Sequence, residues 1–225
     1  QALVKPIPKK SSNSISDFRP ISLTSSVCKV CVHFSSSLSF SDHISKIVCK
    51  ARSKSNLIFK SFRSNSPALY LKTFTTFILP NIEYCSVIWN PVHSVDMTKD
   101  LERVQRDFTR RMYQRCSLPH VPYNLITLER RRFITDIVFL HSIMNNRYSL
   151  DVSSLLVHAP PPRPMRNTHC LRISLPFIPR NSSSTLVSRT IQIWNSLPSN
   201  RVDSSHNVFC NFIRSQPPTF YPHSI

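Results

Sequence analysis

The sequence predicts a mainly helical fold with a short α+β segment near its start and a proline-rich coil near its end. Three apolar stripes at helical spacing follow one another between Asp42 and Asn145, and side chains three and four positions apart share one face of a helix. Residues 1–31 are instead rich in proline, lysine and serine, and residues 160–164 read PPPRP. Such a proline run cannot continue a helix, because proline lacks a backbone N–H.

The first 41 residues predict little regular structure. Short β-prone pieces occur only around residues 21–23 and 27–32, without sustained alternation of apolar and polar side chains. The polar run Ser35-Ser36-Ser37 has no periodicity. We therefore predict a first segment over residues 1–31 and a junction over residues 32–41.

A first helix is predicted from Ser41, a residue type suited to capping a helix N-terminus. Its apolar stripe consists of Ile44, Ile47, Val48, Ala51, Ser55, Ile58 and Phe62. The opposite face carries Lys46, Lys50, Lys54 and Lys60. This pattern is typical of a helix that packs on one side and meets water on the other.

Further helices are predicted up to residue 148. Ser66-Pro67 starts one of them, since proline is favoured in the first helical turn, and Pro80 interrupts it. Residues 99–115 and a segment that begins near Thr127 predict two more. Residues 42–148 thus form one helical region, and residues 149–225 form a proline-rich linker with a C-terminal region.

Several segments match the motifs of one protein family in the same order along the chain. They are residues 4–10 (VKPIPKK), 17–24 (DFRPISLT), 38–44 (LSFSDHI), 82–91 (IEYCSVIWNP), 101–110 (LERVQRDFTR), 127–140 (TLERRRFITDIVFL), 189–198 (RTIQIWNSLP) and 209–212 (FCNF). The chain resembles the reverse transcriptases of non-LTR retrotransposons of the Jockey and CR1 type. The resemblance covers nearly the whole chain apart from the junction and the end.

The resemblance implies a fingers remnant over residues 1–31 and a helical thumb-like region over residues 42–148. The palm that should lie between them, with its Phe/Tyr-x-Asp-Asp turn, has no counterpart in the sequence. Two converging carboxylates are needed to hold the catalytic Mg²⁺. We therefore expect no catalytic residue, no metal, no cofactor and no polymerase activity, and the parent family's Mg²⁺ ligands are missing.

The same resemblance assigns a phosphate-binding remnant to the first segment. Arg19, with Lys5 nearby, resembles the fingers group that grips the phosphates of the incoming nucleotide, a role suited to a bidentate guanidinium. The alternative is an exposed loop arginine without a ligand, because the other half of that pocket is absent.

Composition excludes several enzyme classes and indicates a polyanionic partner. The chain has no glycine, so the glycine motifs of Rossmann enzymes, P-loop NTPases and α/β-hydrolases cannot occur. The 29 lysines and arginines against 11 acidic residues give a net charge of +18. Such a charge favours RNA or DNA, bound non-specifically by electrostatic attraction, as the partner. No small-molecule substrate is expected.

The densest basic surfaces are predicted on two helices. The nucleic-acid-binding candidates are Arg103, Arg106, Arg110, Arg111, Arg130 and Arg131. On the first of these helices Leu101, Val104, Phe108 and Met112 form an apolar edge. The alternative is a solvated structural face, in which Asp96, Asp100 and Asp107 form ion pairs with neighbouring basic side chains.

Other features lead to weaker hypotheses. Cys28, Cys31, His33 and His43 suggest a metal knuckle, but their spacing does not match the usual zinc intervals. Large aromatic side chains such as Trp89 could stack on bases, although core packing is the better interpretation.

Cysteine usage and hydropathy bear on location. The 7 cysteines are scattered without a regular framework, and no apolar run is long enough for a membrane span. We expect an intracellular protein, nuclear or cytoplasmic, neither secreted nor in a membrane.

The rival function is a non-enzymatic protein-interaction module or a pseudogene product without function.

Overall fold

The computed structural model describes residues 3–8, 18–23, 32–33, 39–92, 94–117, 125–148, 157–158, 173–174, 185–217 and 220. Helices account for most of these residues, which confirms the prediction of a mainly α fold.

The first segment contains an antiparallel hairpin. Strand β1 (Leu3–Pro8) pairs with β2 (Phe18–Leu23), in a register that sets Lys5 opposite Ile21 and Arg19 opposite Ile7. The second strand includes the β-prone piece at residues 21–23, whereas most of the piece at residues 27–32 lies outside the described residues.

Helix α1 (Ser41–Ser61) begins and ends slightly differently from the prediction. Phe40 occupies the cap position and Ser41 is the first helical residue, with its N–H donated to Ser39 Oγ at 3.4 Å. At the other end Phe62 has extended backbone and is 38% exposed, so it leaves the predicted stripe. Phe59, inside the helix, is buried instead. The remaining stripe residues are buried as predicted.

The next helical segment continues through Pro80, contrary to the predicted interruption. Helix α2 (Pro67–Thr73) leads into a π-helical turn (Phe74–Ile78), which leads into α3 (Leu79–Glu83). A proline has no N–H to donate to the preceding turn, and a single π turn is a common way to absorb a break in the hydrogen-bond ladder. Phe77, within this π turn, is exposed.

Three more helices follow within the described residues up to Met144. They are α4 (Ser86–Trp89), α5 (Val95–Cys116) and α6 (Leu128–Met144). Ser94 Oγ and Thr127 Oγ1 accept backbone N–H groups at the starts of α5 and α6, at 3.4 and 3.3 Å. Thr127 therefore caps the helix that was predicted to begin near it.

The C-terminal region contains a minimal hairpin and three helices. Strand β3 (Val157–His158) pairs with β4 (Ile173–Ser174), and α7 (Leu186–Ser196), α8 (Ser199–Val202) and α9 (His206–Ser215) follow. The proline run at residues 160–164 lies outside the described residues.

Two hydrophobic cores meet along α6. The first core gathers buried residues between Ile44 and Leu128, from α1 through the start of α6. The second core packs the rest of α6 against α7 and α9. The second core therefore draws residues from both sides of position 148, where the sequence suggested that the helical region ends. As a domain boundary, that position stays a prediction.

Candidate nucleic-acid interface

The outward face of α5 carries three of the predicted arginines. Arg103, Arg106 and Arg110 are all exposed, while the predicted apolar edge of this helix is buried. Arg103 pairs with Asp100 at 3.1 Å and Arg110 pairs with Asp107 at 3.4 Å. The predicted intrahelical ion pairs are thus confirmed for these two arginines. Asp96 has no ion pair within the described chain.

Arg111 connects α5 to α1. Its Nη1 donates to Asn56 Oδ1 at 2.6 Å, and its guanidinium lies 4.5 Å from the centre of the Phe59 ring. A cation over an aromatic face is held there by the ring's quadrupole. Arg115, one turn further on, donates to the Phe59 carbonyl at 3.0 Å. Arg111 therefore links α5 to α1, in addition to its predicted role in binding nucleic acid.

Arg130 and Arg131 on α6 also hold other elements. Arg131 makes a two-pronged ion pair with Glu83, at the end of α3. Arg130 Nη2 donates to the carbonyls of Gln216 and Arg214, at 2.5 and 3.4 Å, at the end of α9. Both guanidinium groups therefore have protein partners, and their role in binding nucleic acid stays a prediction.

A buried polar cluster lies where α4, α6 and α7 meet. Arg189 Nε and Asn90 Nδ2 both donate to Asp136 Oδ2, at 3.1 and 2.9 Å. Arg132 Nε donates to Asn90 Oδ1 at 3.2 Å, and Arg189 Nη2 donates to the carbonyl of Val87 at 2.9 Å. The side chains of Arg189 and Asp136 are 1% and 0% exposed. We refer to Asn90, Arg132, Asp136 and Arg189 as the buried polar cluster.

Burial and charge act in opposite directions inside this cluster. Burial raises the pKa of Asp136, and the charge and hydrogen bond of Arg189 oppose the shift. Burial likewise lowers the pKa of Arg132, while nearby carboxylates, led by Glu102 and Glu129, oppose it. Arg132 Nη1 and Nη2 have no hydrogen-bond partner among the described residues. A charge this deep is costly to leave unpaired, so the cluster depends on all its members.

Three carboxylates of the helical region serve structural contacts. Glu102 Oε1 accepts the backbone N–H of Glu129 at 2.7 Å, in the first turn of α6. Glu83 pairs with Arg131 and Asp136 with Arg189. In the described ranges, no group of three or more histidine, cysteine, aspartate or glutamate side chains is arranged to hold a metal ion.

The suggested metal knuckle is only partly described. Cys28 and Cys31 lie outside the described residues, while the backbone N–H of His33 donates to His43 Nδ1 at 3.3 Å. His43 is buried and its ring meets that of Trp89 edge-on, with centroids 5.4 Å apart. That contact and the 1% exposure of Trp89 agree with the core-packing interpretation of this tryptophan.

Lys5 and Arg19, the predicted phosphate-binding remnant, lie on the first hairpin. The register sets their backbones diagonally across from each other, because Arg19 faces Ile7 and Lys5 is two residues before Ile7. The hairpin places the backbones of Lys5 and Arg19 on its two paired strands. The role of these residues in binding phosphate stays a prediction.

Sequence reasoning had not grouped the four residues of the buried polar cluster. Arg132, Asp136 and Arg189 each stood inside a family-like segment, and Asn90 follows Trp89 in another. The signal that could have grouped them was chemical: a lone aspartate within apolar helical positions needs a buried partner.

Comparison with known proteins gives one relative. The chain is 28% identical over 126 residues to the uncharacterized protein B0403.1 of Caenorhabditis elegans, covering 52% of this chain and 63% of that protein. The match thus spans less than two thirds of the relative's length. No family model matches the chain, and no solved structure matches it.

The helices also bear on the membrane question. Among the helices within the described ranges, none combines the length and the apolar character needed to cross a membrane.

Proposed function

We propose that this chain binds RNA or DNA through exposed lysine and arginine side chains, without reading base sequence and without polymerase activity of its own. One observation carries the proposal. Even if each of the 11 acidic side chains neutralised one basic side chain, a charge of +18 would remain. A surface of that sign attracts the phosphate backbone and releases its counterions.

We further propose that the chain is a remnant of a non-LTR retrotransposon reverse transcriptase. The support is the meeting of three family-like segments in the buried polar cluster, which takes Asn90 from residues 82–91, Arg132 and Asp136 from residues 127–140, and Arg189 from residues 189–198. Segments that match a family in order and also hold one another in place fit a shared origin better than chance matches. An intracellular location, nuclear or cytoplasmic, belongs to the same proposal.

The proposed absence of polymerase activity rests on the missing Asp-Asp turn of the sequence, and the uses of three carboxylates agree with it. Polymerisation needs at least two carboxylates that converge on Mg²⁺, whereas Glu83, Glu102 and Asp136 already serve ion pairs or a helix start. Primer extension on poly(rA)/oligo(dT) with Mg²⁺ or Mn²⁺ should give no incorporation above the blank. Reproducible incorporation by the pure protein would refute this part of the proposal.

Salt dependence of binding tests the main proposal. The affinity of the full chain for fluorescently labelled oligo(dT) and oligo(U) is measured by anisotropy at a series of NaCl concentrations. We expect a linear fall of log affinity with log salt, by about 0.7 per phosphate contact on a single strand, and similar values for oligomers of other sequence. Weak binding with a flat salt dependence would instead favour a protein-interaction module.

A further inference from the structure

Helix α1 carries a stripe of lysines on its outward face. Lys46, Lys50 and Lys54 are spaced four residues apart, which sets neighbouring lysines about 6 Å apart along the helix axis. Lys46 and Lys50 are exposed and Lys54 is half-buried. Side chains at this spacing lie on one face, so the helix presents a continuous row of positive charge.

The row is not neutralised by acidic residues. Helix α1 has five lysine or arginine residues and one acidic residue, Asp42, whereas α5 has six and four. No ion pair among the described residues includes a lysine of α1. Burial, followed by repulsion from Lys50, lowers the pKa of Lys54. The α1 row therefore has more uncompensated charge than the α5 face that the sequence favoured.

An exposed aromatic ring adjoins the row. Lys54 Nζ donates to the carbonyl of Phe77 at 3.2 Å, and Asn81 Nδ2 donates to the same oxygen at 2.5 Å. Phe77 lies in the π-helical turn, and it is 51% exposed. Leu57, also on α1, is 64% exposed. A large apolar ring is thus held at the end of a lysine row.

We propose that Lys46, Lys50 and Phe77 form a binding site for single-stranded nucleic acid. The lysines contact successive phosphates, and Phe77 stacks on an unpaired base. Lys54 positions the backbone of Phe77 beside the row. Stacking is open to single strands because their bases are not enclosed in a duplex. This site deepens the proposed function and rests on it, since it says which surface binds and which form of nucleic acid.

The lysine contacts are tested by removing two charges from α1. The double variant Lys46→Gln, Lys50→Gln keeps Lys54, and its affinity for labelled oligo(dT) is measured over a salt series. We expect the log-log slope to flatten by about 1.4, that is about 0.7 per lost contact. The control Arg147→Gln, Arg214→Gln removes the same charge from two exposed positions, one just after α6 and one on α9. It should leave most of the slope unchanged.

The stacking contact is tested with Phe77→Ala. We expect about tenfold weaker binding of oligo(dT) at an unchanged salt slope, because stacking does not release counterions. Affinity for the oligo(dT)/oligo(dA) duplex should not change. Tyr148→Ala is the control. Tyr148 is an aromatic residue that is 47% exposed, and it follows α6 in the sequence. Circular dichroism and thermal melting check that every variant keeps its helices.

The outcomes separate this site from the proposed function. Binding that stays at the wild-type level in both the Lys46→Gln, Lys50→Gln variant and the Phe77→Ala variant, or that is lost equally in the Arg147, Arg214 control, overturns the site but leaves nucleic-acid binding in place. Greater loss on replacing Arg103 and Arg110 than on replacing the lysines assigns the site to α5 and also overturns it. A wild-type protein that binds neither single strands nor duplex refutes the proposed function itself.

Discussion

The first core contains a group of four neighbouring aromatic rings (Phe59, Tyr70, Phe74 and Phe108), whereas the second core contains a buried histidine, His141, whose ring meets those of Trp194 and Phe209. In the first core Phe59 lies 5.0 Å from both Tyr70 and Phe108, between ring centroids. In the second core His141 stacks on Phe209 at 3.9 Å. The first core is built by helices that follow one another in sequence, while the second joins α6 to helices that begin about forty residues later.

This difference teaches that the two cores depend differently on polar contacts. The first core is stabilised by the burial of apolar surface, and this effect does not depend on an exact geometry. The second meets the first at the buried polar cluster, where Arg189 of α7 reaches Asp136 of α6 and the carbonyl of Val87. Buried hydrogen bonds and charges stabilise a fold only when every polar group among them has a partner. We therefore expect the join between the cores to be the most sensitive part of the fold.

The largest effect should come from breaking the cluster. Asp136→Ala leaves Arg189 and Arg132 buried without their carboxylate, and we expect a loss of about 3–5 kcal/mol in the free energy of unfolding. Urea denaturation followed by circular dichroism measures it. Asp136→Asn, which keeps an oxygen acceptor, should lose less. Asp107→Ala is the control, because that carboxylate is exposed and its removal should cost under about 1 kcal/mol. Equal effects of Asp136→Ala and Asp107→Ala would contradict our account of the join.

Core truncations should show whether the two cores unfold apart. Phe108→Ala in the first core and Trp194→Ala in the second should each cost about 3–5 kcal/mol, since both side chains are fully buried. Amide hydrogen exchange then locates the loss. We expect Trp194→Ala to speed exchange in α7 and α9 more than in α1, and Phe108→Ala to speed it in α1 and α5. Uniform acceleration in both variants would mean one cooperative unit.

Acid should destabilise both cores through their buried histidines. Burial, with nearby positive groups, lowers the pKa of His43, and burial lowers that of His141 although its hydrogen bond to the Val202 carbonyl opposes the shift. The unfolded chain then binds protons more readily than the folded one, so stability falls as the pH drops below about 6.5. Urea midpoints at about pH 7.5 and about pH 5.5 measure this fall. The double variant His43→Gln, His141→Gln should show a smaller difference; an unchanged difference would assign the pH dependence to other groups.

The smallest effect should come from the outer face of α5. Arg103→Gln removes an exposed ion pair with Asp100, and we expect it to change the free energy of unfolding by about 0.5 kcal/mol or less. Arg131→Gln is the comparison, because that guanidinium makes a two-pronged, partly buried pair with Glu83. It should be the more damaging of the two by thermal melting. The reverse order would mean that the α5 face, not the α3–α6 contact, stabilises the first core.

The sequence by itself determined the long helices between residues 41 and 144, but not the three helices of the C-terminal region. Apolar spacing marked the buried side of α1 and of α5, and Thr127 marked the start of α6. These features are local, because they depend on residues within one or two turns of each other. The positive charge was equally clear, since it depends on composition alone.

Only the tertiary structure decided which polar side chains are bound to other parts of the protein. Arg130 and Arg131 were predicted as binding residues, yet their partners lie on α9 and α3, far away in sequence. The same holds for Asp136, whose partner Arg189 is 53 residues distant. Phe77 follows Phe74 at helical spacing in the sequence, yet it lies in a π turn and is exposed. Long-range pairing is invisible to periodicity, because a periodic pattern records which face is apolar and not what that face meets.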